Sequence, residues 1–166
     1  MNKDTQSQLG MFDENNSAPL QTKAVNISMS KTINAPLQKV FDYWLIPVFV
    51  GNWIFATKIN PQELGKMDNE VRVGGTFNYS ASSNGRHYEF SGEFSTVDIP
   101  KRLVFTWKES PKATTTSRVS VSFIDEGERS KIKLSISTQL PAGQDARDVK
   151  QNWAKRCGFL AAVFDK

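Results

Sequence analysis

Residues 144–165 read QDARDVKQNWAKRCGFLAAVFD, and within them Val149, Trp153, Cys157, Leu160 and Phe164 recur at steps of 4, 4, 3 and 4. That spacing draws one apolar stripe along an α-helix. Asp145 and Asp148 fall in its first turn, where carboxylates suit the positive end of the helix dipole. About 22 residues at roughly 1.5 Å each give a rod of about 33 Å, as long as a small domain is wide. Only a broad, curved sheet could cover the stripe of such a rod. The far end adds a demand of its own, because Cys157 to Phe164 is apolar on every side. Either helices near the N-terminus cover its second face, or a second copy of the chain does, as a homodimer through this helix.

The residues ahead of the helix read as the required sheet. Ile132, Leu134 and Ile136 alternate with polar residues, as do Val119, Val121 and Phe123, and Leu103, Phe105 and Trp107. Tyr88, Phe90 and Phe94 share one face of an earlier strand, with Gly92 where a large side chain is expected. Phe77 and Tyr79 share a face before the turn Ser82-Ser83-Asn84-Gly85, which is of the Asn-Gly hairpin type. Further turns are expected around Asp98-Pro100-Lys101 and from Asp125 to Arg129, with a polar loop at 109–116. Val71 to Val73 reads as a short strand ending at Gly74-Gly75, and residues 56–68 as a loop or lid.

Nearer the N-terminus, Val25, Ile27, Met29 and Ile33 alternate as a first strand. Asn34-Ala35-Pro36 then starts a short helix with Val40, Phe41 and Trp44 on its apolar face, and Pro47 stops it. Phe49 to Phe55 suggests a second short helix or turn. The expected fold is α+β: a curved antiparallel sheet of six to seven strands wrapped on a long C-terminal helix, with two short helices after strand 1.

Composition bounds the rest. A chain of 166 residues with 39% hydrophobic residues, 11 Phe and 4 Trp can bury one aromatic-rich core. Residues 1–22 are polar and aperiodic, so a disordered tail is expected ahead of a single domain at 23–166. The one cysteine, Cys157, rules out an internal disulfide and sits on the helix stripe like a small buried residue. No apolar leader and no span of 18 apolar residues occur, which points to the cytoplasm and to no membrane span. The net charge of +4 is spread over scattered Lys and Arg, so no nucleic-acid partner is expected.

Five motifs, in this order, resemble the bacterial relatives of the C-terminal domain of the Hsp90 ATPase activator, within the START-like, Bet v 1-like superfamily of helix-grip folds (SRPBCC). They are Ile33-Asn34-Ala35-Pro36 with Val40-Phe41-Asp42-Tyr43-Trp44; Trp53; Arg72-Val73-Gly74-Gly75-Thr76-Phe77; Gly92-Glu93-Phe94 with Pro100-Lys101-Arg102-Leu103-Val104-Phe105-Thr106-Trp107; and Trp153. Family members often carry paired tryptophans where this chain has Asn52-Trp53-Ile54. The eukaryotic co-chaperone also has a large N-terminal domain, for which the polar residues before the fold are too few.

The resemblance implies a cavity between sheet and helix suited to apolar or aromatic ligands. Its expected lining is Trp44, Trp53, Phe77, Tyr79, Tyr88, Phe90, Phe105, Trp107, Trp153 and Cys157, with Gly92 and Gly158 leaving space. The same aromatics can instead pack on one another as core. Catalytic groups are not apparent. His87, the sole histidine, reads as a surface residue beside the outward Glu89 and Glu93, and no Ser or Cys has a base in a recognised pattern. No metal set and no phosphate-binding glycine loop occurs, so no metal and no cofactor are expected. The leading expectation is non-catalytic binding of a hydrophobic or aromatic small molecule or lipid. An interaction or stress-response module related to the co-chaperone domain is the alternative. An enzyme of the cyclase or hydrolase sort, relying on Tyr79, Tyr88 or Tyr43, has least support.

Overall fold

The computed structural model describes residues 22–165, so the expected polar tail, Thr22 apart, lies outside the described residues. Seven strands form one sheet: Thr22–Ile33 (β1), Leu64–Asn69 (β2), Thr76–Ser83 (β3), Arg86–Asp98 (β4), Arg102–Trp107 (β5), Ser117–Glu126 (β6) and Arg129–Pro141 (β7). Their order is β1-β7-β6-β5-β4-β3-β2, and every neighbouring pair is antiparallel. Five sequential connections, tight at β3–β4, β4–β5 and β6–β7, build this meander, and β1 closes on the last strand, from Thr22↔Pro141 to Ile33↔Ser130. The β3–β4 hairpin turns at Asn84 and Gly85, whose φ of 53° and 79° is the left-handed backbone that these residues tolerate best.

The period-2 reading identifies the inner face. Leu103, Phe105, Trp107, Val119, Val121, Phe123, Ile132, Leu134 and Ile136 are all buried. Against this face lie helices Leu37–Leu45 (α1), Pro47–Val50 (α2) and Ala146–Phe164 (α3). Pro36 stands at the N-cap of α1, and α1 buries Val40, Phe41 and Trp44. The Ile46 N–H closes α1 by donating to Asp42 O, and Pro47 opens α2. At the start of α3 the Asp145 carboxylate accepts from the Arg147 N–H at 2.8 Å. The helix buries Trp153, Cys157 and Leu160 with Val149 and Phe164 partly covered, as the stripe requires. Tyr43 of α1 meets Phe164 edge-on at 5.0 Å, so one side of the apolar end is covered from within the chain.

Two local expectations are corrected. Residues 56–68 are not all loop: a 3-10 turn at Pro61–Glu63 leads into β2. A bulge between Leu64 and Met67 breaks its alternation, and its next inward residue is the polar Asn69. Period 2 is therefore hidden there. Val71 to Val73 is a turn instead, held by Gly75 N–H donating to Arg72 O and Gly74 N–H to Phe94 O, both at 2.8 Å.

Gly92 also differs from expectation. It does not leave space. It lies opposite Phe77 across β3–β4, and a Cβ there would stand 1.9 Å from Thr106 O and 2.6 Å from Phe77 Cζ. The Phe77 ring fills the position, and no side chain larger than hydrogen fits.

Candidate binding cleft

Of the ten residues expected to line a cavity, six surround one small space, two line an open cleft, and Trp153 and Cys157 are buried in the core and line neither. Trp44, Trp53, Phe77, Tyr79, Phe105 and Trp107 surround an interior space of only about 20 Å³. That is room for about one water molecule. Their rings touch instead: Trp44 to Trp53 at 4.5 Å, Phe77 to Tyr79 at 5.0 Å and Phe77 to Phe105 at 5.7 Å between centroids. Such tilted, stacked and edge contacts fill volume and add stability beyond area burial. Trp53 Nε1 donates to Tyr43 O at 2.8 Å, and Asn69 Nδ2 donates to Tyr79 OH at 2.9 Å and to Leu45 O at 2.7 Å. Burial pushes the Tyr79 phenol up to about 12 and the Cys157 thiol up to about 12, since neither ion would be solvated there.

Tyr88 and Phe90 belong elsewhere. They line an open cleft of about 770 Å³ between β4, the segment Phe55–Thr57, the loop after β5 and one side of α3. Phe55 stacks on Phe90 at 5.5 Å and meets Tyr88 at 5.9 Å, forming an aromatic wall. The charged lining is mixed but mainly basic: Arg86, Lys112, Lys155 and Arg156 against Glu89 and Glu109. A space of this size, part aromatic and part polar, falls in the range of small-molecule sites.

Arg156, also at the cleft, is buried with 3% of its surface exposed. Its Cζ lies 4.6, 4.9 and 5.0 Å from the ring centroids of Trp153, Trp107 and Phe90. Three ring faces hold the guanidinium by cation–π attraction. Its Nε donates to Ile54 O at 2.8 Å, and Nη2 donates to both carboxylate oxygens of Glu109 at 3.3 and 3.2 Å. Nη1 has no hydrogen-bond partner among the described residues. Burial pulls the Arg156 pKa down, opposed by the Glu109 charge, yet a guanidinium starts so high that it stays protonated at neutral pH.

Sequence reading missed this residue, although a signal existed. Trp153, Arg156, Cys157 and Leu160 stand at i, i+3, i+4 and i+7, so Arg156 lies on the buried stripe by spacing alone. Counting only apolar residues stepped over it. The partner Glu109, in an irregular loop, carried no periodic signal.

The catalytic expectation needs one adjustment. Ser82 Oγ does lie 3.0 Å from His87 Nδ1, and His87 Nε2 lies 3.5 Å from Glu89 Oε1. The first contact follows from register, because Ser82 and His87 are cross-strand partners. The His87 side chain is 61% exposed, so water competes for every partner in the chain of contacts. A hydrogen-bonded surface cluster is the simplest account.

The sequence pattern described as Activator of Hsp90 ATPase homolog 1-like protein matches residues 34–165. The chain belongs to this family. No match was found among curated proteins. Among solved structures, this chain is similar to an uncharacterized protein from Rhizobium leguminosarum, with 15% identity, a TM-score of 0.73, and coverage of 89% of this chain and 99% of that one. It is similar to the AHSA1-like protein from Aeromonas hydrophila (17% identity, TM-score 0.62, 84% and 94% covered). It is also similar to CalU16 from Micromonospora echinospora (20% identity, TM-score 0.58, 89% and 86% covered). At such identities these likenesses show the helix-grip fold alone. The family fold is that of a ligand-binding or interaction module, and no described helix is long and apolar enough to cross a membrane.

Proposed function

We propose that this protein binds a hydrophobic or aromatic small molecule without transforming it, and that the ligand lies in the cleft bounded by β4 and α3. One observation carries the reading. The open space of about 770 Å³ has an aromatic wall of Phe55, Tyr88 and Phe90, while the space that Trp44, Trp53, Phe77 and Phe105 surround is about 20 Å³. Burial of flat apolar surface against those rings supplies the driving force. The surrounding polar groups fix orientation. Binding without turnover is the simplest chemistry for a cleft whose histidine is wet and whose buried charge already has a partner.

Trp107 and Trp153 touch Arg156, so their fluorescence reports on the cleft. A panel of naphthalene, indole and fatty-acyl compounds is expected to shift or quench that emission saturably for the flat members. Mass spectrometry should recover each ligand unchanged. Silence across the whole panel would remove the binding reading, and recovery of a converted compound would remove its non-catalytic half.

A further inference from the structure

A buried arginine whose only carboxylate partner among the described residues is a half-exposed glutamate on a loop is an unusual element of a core. Removing a guanidinium from water costs several kcal/mol, and well-packed apolar residues usually serve a core as well or better. The pairing that offsets this cost is poor. Both Glu109 oxygens address Nη2 alone, at 3.2 and 3.3 Å, rather than the Nη1–Nη2 fork. Charge-assisted contacts of good geometry are shorter, about 2.7 to 2.9 Å, and arginine favours two parallel bonds to one carboxylate. Nη1 is left without a partner among the described residues, and the Glu109 side chain is 48% exposed. The guanidinium is fixed by three rings and by Ile54 O, whereas Glu109 is held at one end only. Fixed cation, weak anion: the arrangement favours exchange of the anion.

Resting on the binding reading above, we propose that the ligand is an aromatic carboxylate, and that its carboxylate displaces Glu109 to engage both Nη1 and Nη2 of Arg156. Glu109 is then a placeholder. It neutralises the buried charge while the cleft is empty and swings to solvent when the ligand arrives. The flat part of the ligand lies against Phe55 and Tyr88. Lys112 and Lys155 raise the local concentration of anions at the entrance. No bond is made or broken, and the exchange conserves charge at the guanidinium.

The test compares 2-naphthoate with 2-naphthamide, which keeps the rings and removes the charge. The wild-type chain is expected to bind naphthoate at least about tenfold more tightly, as hydrogen bonds to charged groups discriminate. Glu109→Gln is expected to widen that ratio about threefold or more, and Arg156→Met to bring it to about one. In the wild type, the Arg156 Nε–H resonance should move with naphthoate and stay with naphthamide. That readout decides the matter should Arg156→Met fail to fold. Equal binding of the two compounds overturns the carboxylate proposal and leaves aromatic binding standing. A ratio that survives in folded Arg156→Met, or an unmoved Arg156 resonance, overturns it too. Binding of neither compound defeats the binding reading itself.

Discussion

The interior under β3 and β5 and the cleft beside α3 use the same residue types for opposite ends. In the interior, Trp44, Trp53, Phe77 and Phe105 meet ring to ring and leave about 20 Å³. At the cleft, Phe90 packs between Phe55 and Trp107, and the half-buried Tyr88 meets Phe55 and has no ring on its other side, so this edge of the aromatic cluster borders about 770 Å³. Aromatic content therefore does not decide whether a helix-grip fold is hollow. What decides it is whether each ring finds a complementary ring across the sheet. Gly92 supplies that complement for Phe77, because its missing side chain is the slot into which the ring fits. The boundary between the two regions is Arg156, with Trp107 and Trp153 on its dry side and Glu109 on its wet side.

The largest effect that distinguishes the regions is expected at alkaline pH. Cys157 and Tyr79 have ordinary values of 9.0 and 10.0, and burial pushes both to about 12. Above pH 9 the unfolded chain therefore sheds protons that the folded chain keeps, so stability falls as pH rises. Each group contributes on the order of 3 to 4 kcal/mol to that loss, fully present below its unfolded value and gone by about pH 12. Urea midpoints should hold level up to about pH 8.5 and then drop. Cys157→Ala should delay the onset by about one unit. A level midpoint to pH 11 would mean that water reaches the thiol and phenol, and the dry interior would no longer contrast with the cleft.

How much of this contrast was legible in the sequence depends on the kind of signal. Six of the seven strands and the helix were legible because runs such as Val119, Val121 and Phe123, or Ile132, Leu134 and Ile136, declare a face by period 2. Strand β2 was not, since the bulge after Leu64 and the inward Asn69 erase that period. The aromatic lining was legible as a set of inward residues. Volume was not, because periodicity says which way a ring points and nothing about what it meets. Arg156 was hidden for a different reason: hydrophobic patterning assigns charge to the outside, and this charge is buried by three rings that arrive from β4, β5 and its own helix.

The second prediction probes the closure of the interior. Gly92→Ala places a Cβ against Thr106 O, a backbone atom that cannot swing aside, and against the Phe77 ring. Overpacking of this kind costs about 1 to 3 kcal/mol, and the backbone clash puts the expected loss near about 3 kcal/mol. Phe77→Leu in the same chain relieves the ring contact and leaves the carbonyl contact, so it should restore little. A Gly92→Ala chain as stable as the wild type, judged by urea midpoint, would show slack between β3, β4 and β5 that the ring contacts do not contain.

The smallest effect is the most discriminating, because its sign should change with pH. Tyr79→Phe removes the hydroxyl that accepts from Asn69 Nδ2, while Asn69 keeps its 2.7 Å bond to Leu45 O. One hydrogen bond lost, with the donor still satisfied, costs about 1 kcal/mol at neutral pH. Phenylalanine has no proton to hold, so the variant escapes the alkaline penalty that Tyr79 incurs above its unfolded value of 10.0. The wild-type chain loses about 1.4 kcal/mol for each pH unit over that interval through this residue alone. The two stability curves should therefore cross near about pH 11, with the variant the more stable above it. Curves that stay parallel from pH 7 to 12 would mean that the phenol titrates in the fold as it does in water. Tyr79 would then belong to the wet side of the molecule, and the division drawn at Arg156 would have to move inward.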